Sequence, residues 1–125
     1  MWQDNAKAPG PSAASGLSLA NIWDVRADDS YDVQGQHVGR HTLVAVRTHA
    51  GHGRLAFDRI APIETRAHTL LFLEWQRLRR YRCIGGQWDF WWFEFTVAGT
   101  LHFPLHQVLA IDDQQCAFPI THVVA

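Results

Sequence analysis

Cysteine is nearly missing from this chain: Cys83 and Cys116 are the only two in 125 residues. They are too few for a disulfide framework and lack the close spacing of a C-x-x-C motif. Free thiols in a reducing cytoplasm are the simplest expectation. Net charge is also missing, because 11 Lys and Arg against 12 Asp and Glu leave −1, with a pI near 6.7. A domain that grips nucleic acid is normally basic, so the chain by itself is not expected to bind DNA. Long apolar runs are absent too. Stretches such as Leu70 to Leu73 fall far short of the ~20 residues that cross a bilayer, and the N-terminus has no apolar segment of signal-peptide character. A soluble cytoplasmic protein with no membrane partner is expected.

What the chain does have is aromatic residues, and they are concentrated. Gln87 to Val97, QWDFWWFEFTV, holds Trp88, Phe90, Trp91, Trp92, Phe93 and Phe95. In a β-strand successive side chains point to opposite faces. Trp88, Phe90, Trp92, Glu94 and Thr96 then share one face, and Asp89, Trp91, Phe93, Phe95 and Val97 the other. A strand that is bulky and apolar on both sides belongs in the middle of a sandwich or small barrel. The second face reads as plain packing. The first sets flat aromatic surface beside one carboxylate, Glu94, the mixture that small-molecule sites use.

With 47% hydrophobic residues the chain is long enough for one domain with a real core. Met1 to Gly16, rich in Ala, Pro, Ser and Gly, has neither helical nor strand periodicity and is expected to be a flexible arm, with the barrel running over residues 17–125. Leu17 to Val25 suits a strand, and Ala27 to Ser30 has turn chemistry. Tyr31 to His37 is a weaker strand candidate, and Val38-Gly39 offers a turn. From Arg40 to His49 the β-branched Thr42, Val44, Val46 and Thr48 recur at every second position. Gly51-His52-Gly53 then reads as a hairpin turn into a short strand, Arg54 to Phe57. Ile63 to Arg66 and Thr69 to Leu73 follow as strands. Glu74 to Arg82 is short for a helix and reads as a loop leading to a strand at Arg79 to Cys83, with Arg77, Arg79, Arg80 and Arg82 forming either a solvated loop or an anion-facing patch. Gly85-Gly86 reads as a tight turn, and Gln107 to Ile111 as a last strand. About eight short strands with regular turn signals indicate an all-β sandwich or barrel.

The order of these pieces, Gly51-His52-Gly53, then Thr69-Leu70-Leu71-Phe72, Tyr81, Trp88 to Phe95, and Pro104-Leu105-His106-Gln107-Val108, resembles the N-terminal effector-binding domain of the AraC family of bacterial transcriptional regulators. The likeness covers roughly Trp23 to Ile111. It implies a cupin-type jelly-roll barrel whose lumen binds a small effector, and a homodimer formed through helices that follow the barrel. Such regulators carry two helix-turn-helix motifs after the barrel. None is found in this sequence, so DNA contact is expected only through a missing C-terminal domain.

The resemblance also implies ligand contacts. Trp92 matches a tryptophan that stacks on a sugar, Phe90 lies two residues before it, and Tyr81 matches a lumen tyrosine. The polar position beside the glycine turn falls on Ala50, with Thr48 near it on the same strand, and Trp88 and Glu94 complete the expected set. Phe at 90 and Ala at 50 remove two hydrogen-bonding positions from a site that would pair with sugar hydroxyls. The expected effector is therefore either a sugar or an aromatic, less polar metabolite. Metal-dependent cupins use an H-x-H pair with further ligands because a first-row metal needs several converging N or O donors. This chain has no H-x-H; His49 and His52, His37 and His41, and His102 and His106 instead flank turns. No metal, no cofactor and no catalysis are expected. A free-standing cupin enzyme and a filled barrel without ligand are the alternatives.

Overall fold

The computed structural model of the chain describes residues 2–7, 16–35, 42–98 and 104–111. Its strands, in chain order, are β1 Trp2–Lys7, β2 Leu17–Ala27, β3 Asp32–Gln34, β4 Thr42–Phe57, β5 Ile63–Arg66, β6 Thr69–Glu74, β7 Leu78–Val97 and β8 Gln107–Ala110, with a 3₁₀ turn at Trp75–Arg77. All strand pairs are antiparallel, in the order β1-β2-β7-β4-β6-β8, with β3 added to β7 and β5 to β4.

The fold is organised by the two longest strands. β4 has 16 residues and β7 has 20, well beyond the usual strand length, and each bends so that it serves two halves of the sheet. The first half of β4 and the second half of β7 lie between β2 and β6. The remaining halves lie between β3 and β5. The bend is visible in the register, where Gly51 faces Trp88 but Gly53 already faces Cys83. Residues 84–87 are thus accommodated opposite His52.

The glycines make this passage possible. Gly51 has φ +80°, and a Cβ there would lie 2.1 Å from the Gln87 carbonyl oxygen. At Gly53 a Cβ would lie 2.1 Å from the Trp88 ring. The hairpin expected at Gly51-His52-Gly53 and the tight turn expected at Gly85-Gly86 are therefore corrected. Both are bends inside continuous strands, because glycine permits close backbone approach as readily as it permits a turn.

Folding one half over the other encloses the larger core. Val25, Val44, Val46, Leu71, Leu73, Trp88, Phe90 and Trp92 come from one half, and Tyr31, Leu55, Leu78, Tyr81 and Cys83 from the other. A second cluster, with Leu43, Ala45, Leu70, Phe72, Phe93 and Phe95, lies on the opposite face of the wider half. Burial on both faces explains the unbroken apolar character of the aromatic strand. The architecture is all-β, an eight-stranded antiparallel sheet folded on itself as a barrel.

Three local expectations change. Trp2–Lys7, placed in the arm, pairs along Asn21 to Arg26. Main-chain hydrogen bonds make that pairing without a side-chain pattern to announce it. The arginines after Glu74 do not form a free basic patch: Arg77 meets Glu74 at 3.2 Å, Arg79 meets Asp58 at 3.6 Å, and Arg80 grips Asp32 in a two-pronged contact at 2.9 and 2.7 Å. Trp91, expected to be packing, is 38% exposed. His37, His41, His102 and Cys116 lie outside the described residues. Among the described residues, no helix is long and apolar enough to cross a membrane, and no three His, Cys, Asp or Glu side chains converge as a metal set would.

Candidate functional site

The inward row of β7 splits into two environments. Near the bend, Trp88 and Phe90 have 0% exposure and their rings stack with centroids 3.9 Å apart. Gly53 leaves room for the indole, and Trp88 Nε1 donates to Thr48 Oγ1 at 3.2 Å. Thr48 is thereby committed to the core. Ala50 does not join this group, because a register shift after Thr48 sets it opposite Asp89 at the bend. Trp88, Phe90 and Thr48 form a closed floor.

Four residues along the same strand the surroundings change. Trp92 is 4% exposed. Tyr81 stacks on it at 4.9 Å and 25°, and Trp75 meets it edge-on at 5.9 Å. Trp92 Nε1 donates to Glu94 Oε2 at 3.1 Å, while Asn21 Nδ2 donates to Glu94 Oε1 at 3.1 Å. The register explains the meeting: β2 places Asn21 opposite Glu94 and Trp23 opposite Trp92. Asn21, Trp23, Trp75 and Glu94 are all half-buried, so this end of the barrel reaches solvent.

Tyr31 extends the aromatic wall inward, with its ring 6.0 Å from Tyr81, 5.9 Å from Phe90 and 6.2 Å from Trp88. Burial pushes the Tyr81 phenol up to about 12, helped by the Glu94 negative charge. Burial also raises Tyr31, with Tyr81 adding to the effect. The two rings pack against each other at a tilt, with centroids 6.0 Å apart. Both stay neutral at physiological pH and serve as hydrogen-bonding groups.

This end of the barrel therefore brings together a buried aromatic stack, neutral phenols and one half-buried carboxylate oriented by two donors. Such a set can hold a planar or cyclic molecule and accept hydrogen bonds from it. Of the residues singled out in the sequence, Tyr81, Trp92 and Glu94 come together here. Trp88, Phe90 and Thr48 lie beneath them, and Ala50 stands apart. Asn21, Tyr31 and Trp75 join the site without a sequence signal of their own. Asn21 and Trp23 do alternate on β2, but which β7 residues they face depends on a register that one strand cannot declare.

The sequence is 28% identical over 99 residues to the uncharacterized HTH-type transcriptional regulator YidL of Escherichia coli strain K12, an alignment covering 75% of this chain and 33% of that protein. The chain thus spans about a third of the length of that relative. Among solved structures it superposes on YhaK from Escherichia coli with a TM-score of 0.68 and 10% identity, over 89% of this chain and 52% of that one. It superposes on an HTH_3 family transcriptional regulator from Vibrio cholerae with a TM-score of 0.57 and 12% identity, over 79% and 52% of the two chains. At these identities the structural likeness is one of fold. No known protein-family profile matches the sequence.

Proposed function

We propose that this chain is the effector-sensing domain of a cytoplasmic bacterial transcriptional regulator of the AraC type, a binding domain without catalytic activity. The effector is a sugar or an aromatic, less polar metabolite. It rests a flat face against the Tyr81–Trp92 stack and donates a hydrogen bond to Glu94. DNA is contacted through a helix-turn-helix region outside this sequence, and the regulator acts as a homodimer.

The observation that carries this reading is the half-buried Glu94, whose two oxygens are fixed by Asn21 and Trp92 at the end of a stacked aromatic pair. Each carboxylate oxygen keeps lone-pair capacity beyond the one donor that fixes it, so a ligand donor can be accepted there. The similarity to an HTH-type regulator supports the regulatory context. A filled, ligand-free barrel is the competing reading, favoured by the complete burial of Trp88 and Phe90.

A thermal-shift screen of sugars, aromatic acids and small metabolites separates the two. A ligand at a hundred times its dissociation constant adds about 2.7 kcal/mol to the unfolding free energy, a shift that such a screen detects. At least one compound is expected to raise the melting temperature. A domain indifferent to every compound in a broad library would leave the filled barrel standing.

A further inference from the structure

Glu94 lies where the barrel reaches solvent, half-buried together with Asn21, Trp23 and Trp75, and its partners are all of one kind. Its two donors, the Asn21 amide and the Trp92 indole, are neutral, each at 3.1 Å. No Lys, Arg or His side chain pairs with it among the described residues. Arg77 and Arg79, which follow Trp75 in the chain, are held instead by Glu74 at 3.2 Å and Asp58 at 3.6 Å.

The rest of the surroundings is electron-rich. Trp75 meets Trp92 edge-on at 5.9 Å, Tyr81 stacks on Trp92 at 4.9 Å, and Trp23 faces Trp92 across β2 and β7. Trp92 and Tyr81 are largely covered, so the rings of this cluster nearest solvent are those of Trp23 and Trp75. The face of each ring carries negative potential. Two neutral donors orient the carboxylate but leave its charge without an opposite, and a charge partly withdrawn from water is normally matched by one. An anionic molecule would meet Glu94 with no cation to offset the repulsion. A neutral hydroxyl would add one hydrogen bond. A protonated amine would add a charge-assisted hydrogen bond and an attraction to the ring faces.

We propose that the effector is a cation: a protonated amine on a cyclic or aromatic frame, whose ammonium group donates to Glu94 at the edge of the aromatic cluster around Trp92. The inference rests on the reading of this end of the barrel as the effector site and adds to it the charge of the ligand. It narrows the two effector classes to their amine-bearing members, an amino sugar or an aromatic amine, and it excludes aromatic acids. Asn21 and Trp92 act as positioning residues, since each fixes one carboxylate oxygen and neither cancels its charge.

Calorimetric titration of this chain with matched probes tests the proposal: glucosamine against glucose, and phenethylamine against phenethyl alcohol and phenylacetate. In at least one set the amine is expected to bind about tenfold more tightly than its neutral counterpart, or better, the scale of one charge-assisted contact. Phenylacetate should bind more weakly than either of its relatives, and the set that responds tells an amino sugar from an aromatic amine. In the Glu94→Gln variant the amine and its neutral counterpart should bind alike. Amines that bind no better than their neutral counterparts in both sets, or a preference that survives in Glu94→Gln, would overturn it. The wild-type comparison holds even where the variant fails to fold. A neutral compound that raises the melting temperature while neither amine binds would remove the charge and leave the sensor reading in place, whereas no response to any compound would remove both.

Discussion

At the scale of single residues, the same side-chain types serve opposite ends because their surroundings differ. Trp88 and Trp92 lie on one face of one strand. One indole N–H is spent on a buried hydroxyl, and the other on a carboxylate that reaches solvent. His106 shows a similar dependence on context. It adopts φ +55°, and its ring lies edge-on to Phe57 at 4.8 Å with Nε2 3.4 Å from Glu74 Oε1. Burial lowers its basicity and outweighs the opposing pull of Glu74, while Arg77 adds to the lowering. The folded state therefore holds this imidazole neutral to a lower pH than the unfolded chain, whose histidine titrates near ~6.5. Below that value the unfolded state binds the proton first, so stability should fall as the pH falls. His49 shifts in the same direction, mainly through burial and then Arg47, so the contribution of His106 must be read by difference. His106→Asn, which tolerates a positive φ, should flatten the acid side of a urea-denaturation pH profile. A slope between pH 7 and 5 unchanged from wild type would show that His106 does not set it.

At the scale of elements, the strands with a two-residue repeat, a short buried apolar run or a dense aromatic run were legible in the sequence. Thr42 to Thr48, Thr69 to Leu73 and Trp88 to Val97 all fall inside observed strands. Their side-chain pattern is a direct consequence of the pleat. β3 could not be delimited, since three residues carry too little periodicity, and β1 pairs through its backbone. The glycines misled for a physical reason: the freedom that makes a turn also allows a long strand to bend under another side chain. That role has a measurable consequence. Gly53 lies beneath the Trp88 ring, so Gly53→Ala must displace an indole with no room to move and should cost roughly 1–3 kcal/mol of unfolding free energy, the range for overpacking a core. Chemical denaturation measures this, and a variant as stable as the wild type would mean that the ring does not rest on this backbone. The candidate site follows the same division. Tyr81, Trp92 and Glu94 were legible because alternation puts the last two on one face and the first matches a family pattern. Asn21, Tyr31 and Trp75 were not, because only register and the curl of the sheet bring them there.

At the scale of the whole molecule, the two faces of one sheet differ. The inward face closes over a packed floor and opens at a rim with one oriented carboxylate. The outward face is buried over Phe93 and Phe95 and becomes polar around Trp91. The account rests on where the ligand sits, and calorimetric titration of a compound that raises the melting temperature addresses that directly. Glu94→Gln and Trp92→Phe should each weaken binding about tenfold or more, the loss expected for a hydrogen bond to a charged group or a fitted ring. Trp88→Phe, in the floor, should bind nearly as the wild type does. Glu94→Gln and Trp92→Phe binding with wild-type affinity, while Trp88→Phe loses it, would place the ligand elsewhere and contradict the rim as the sensing site.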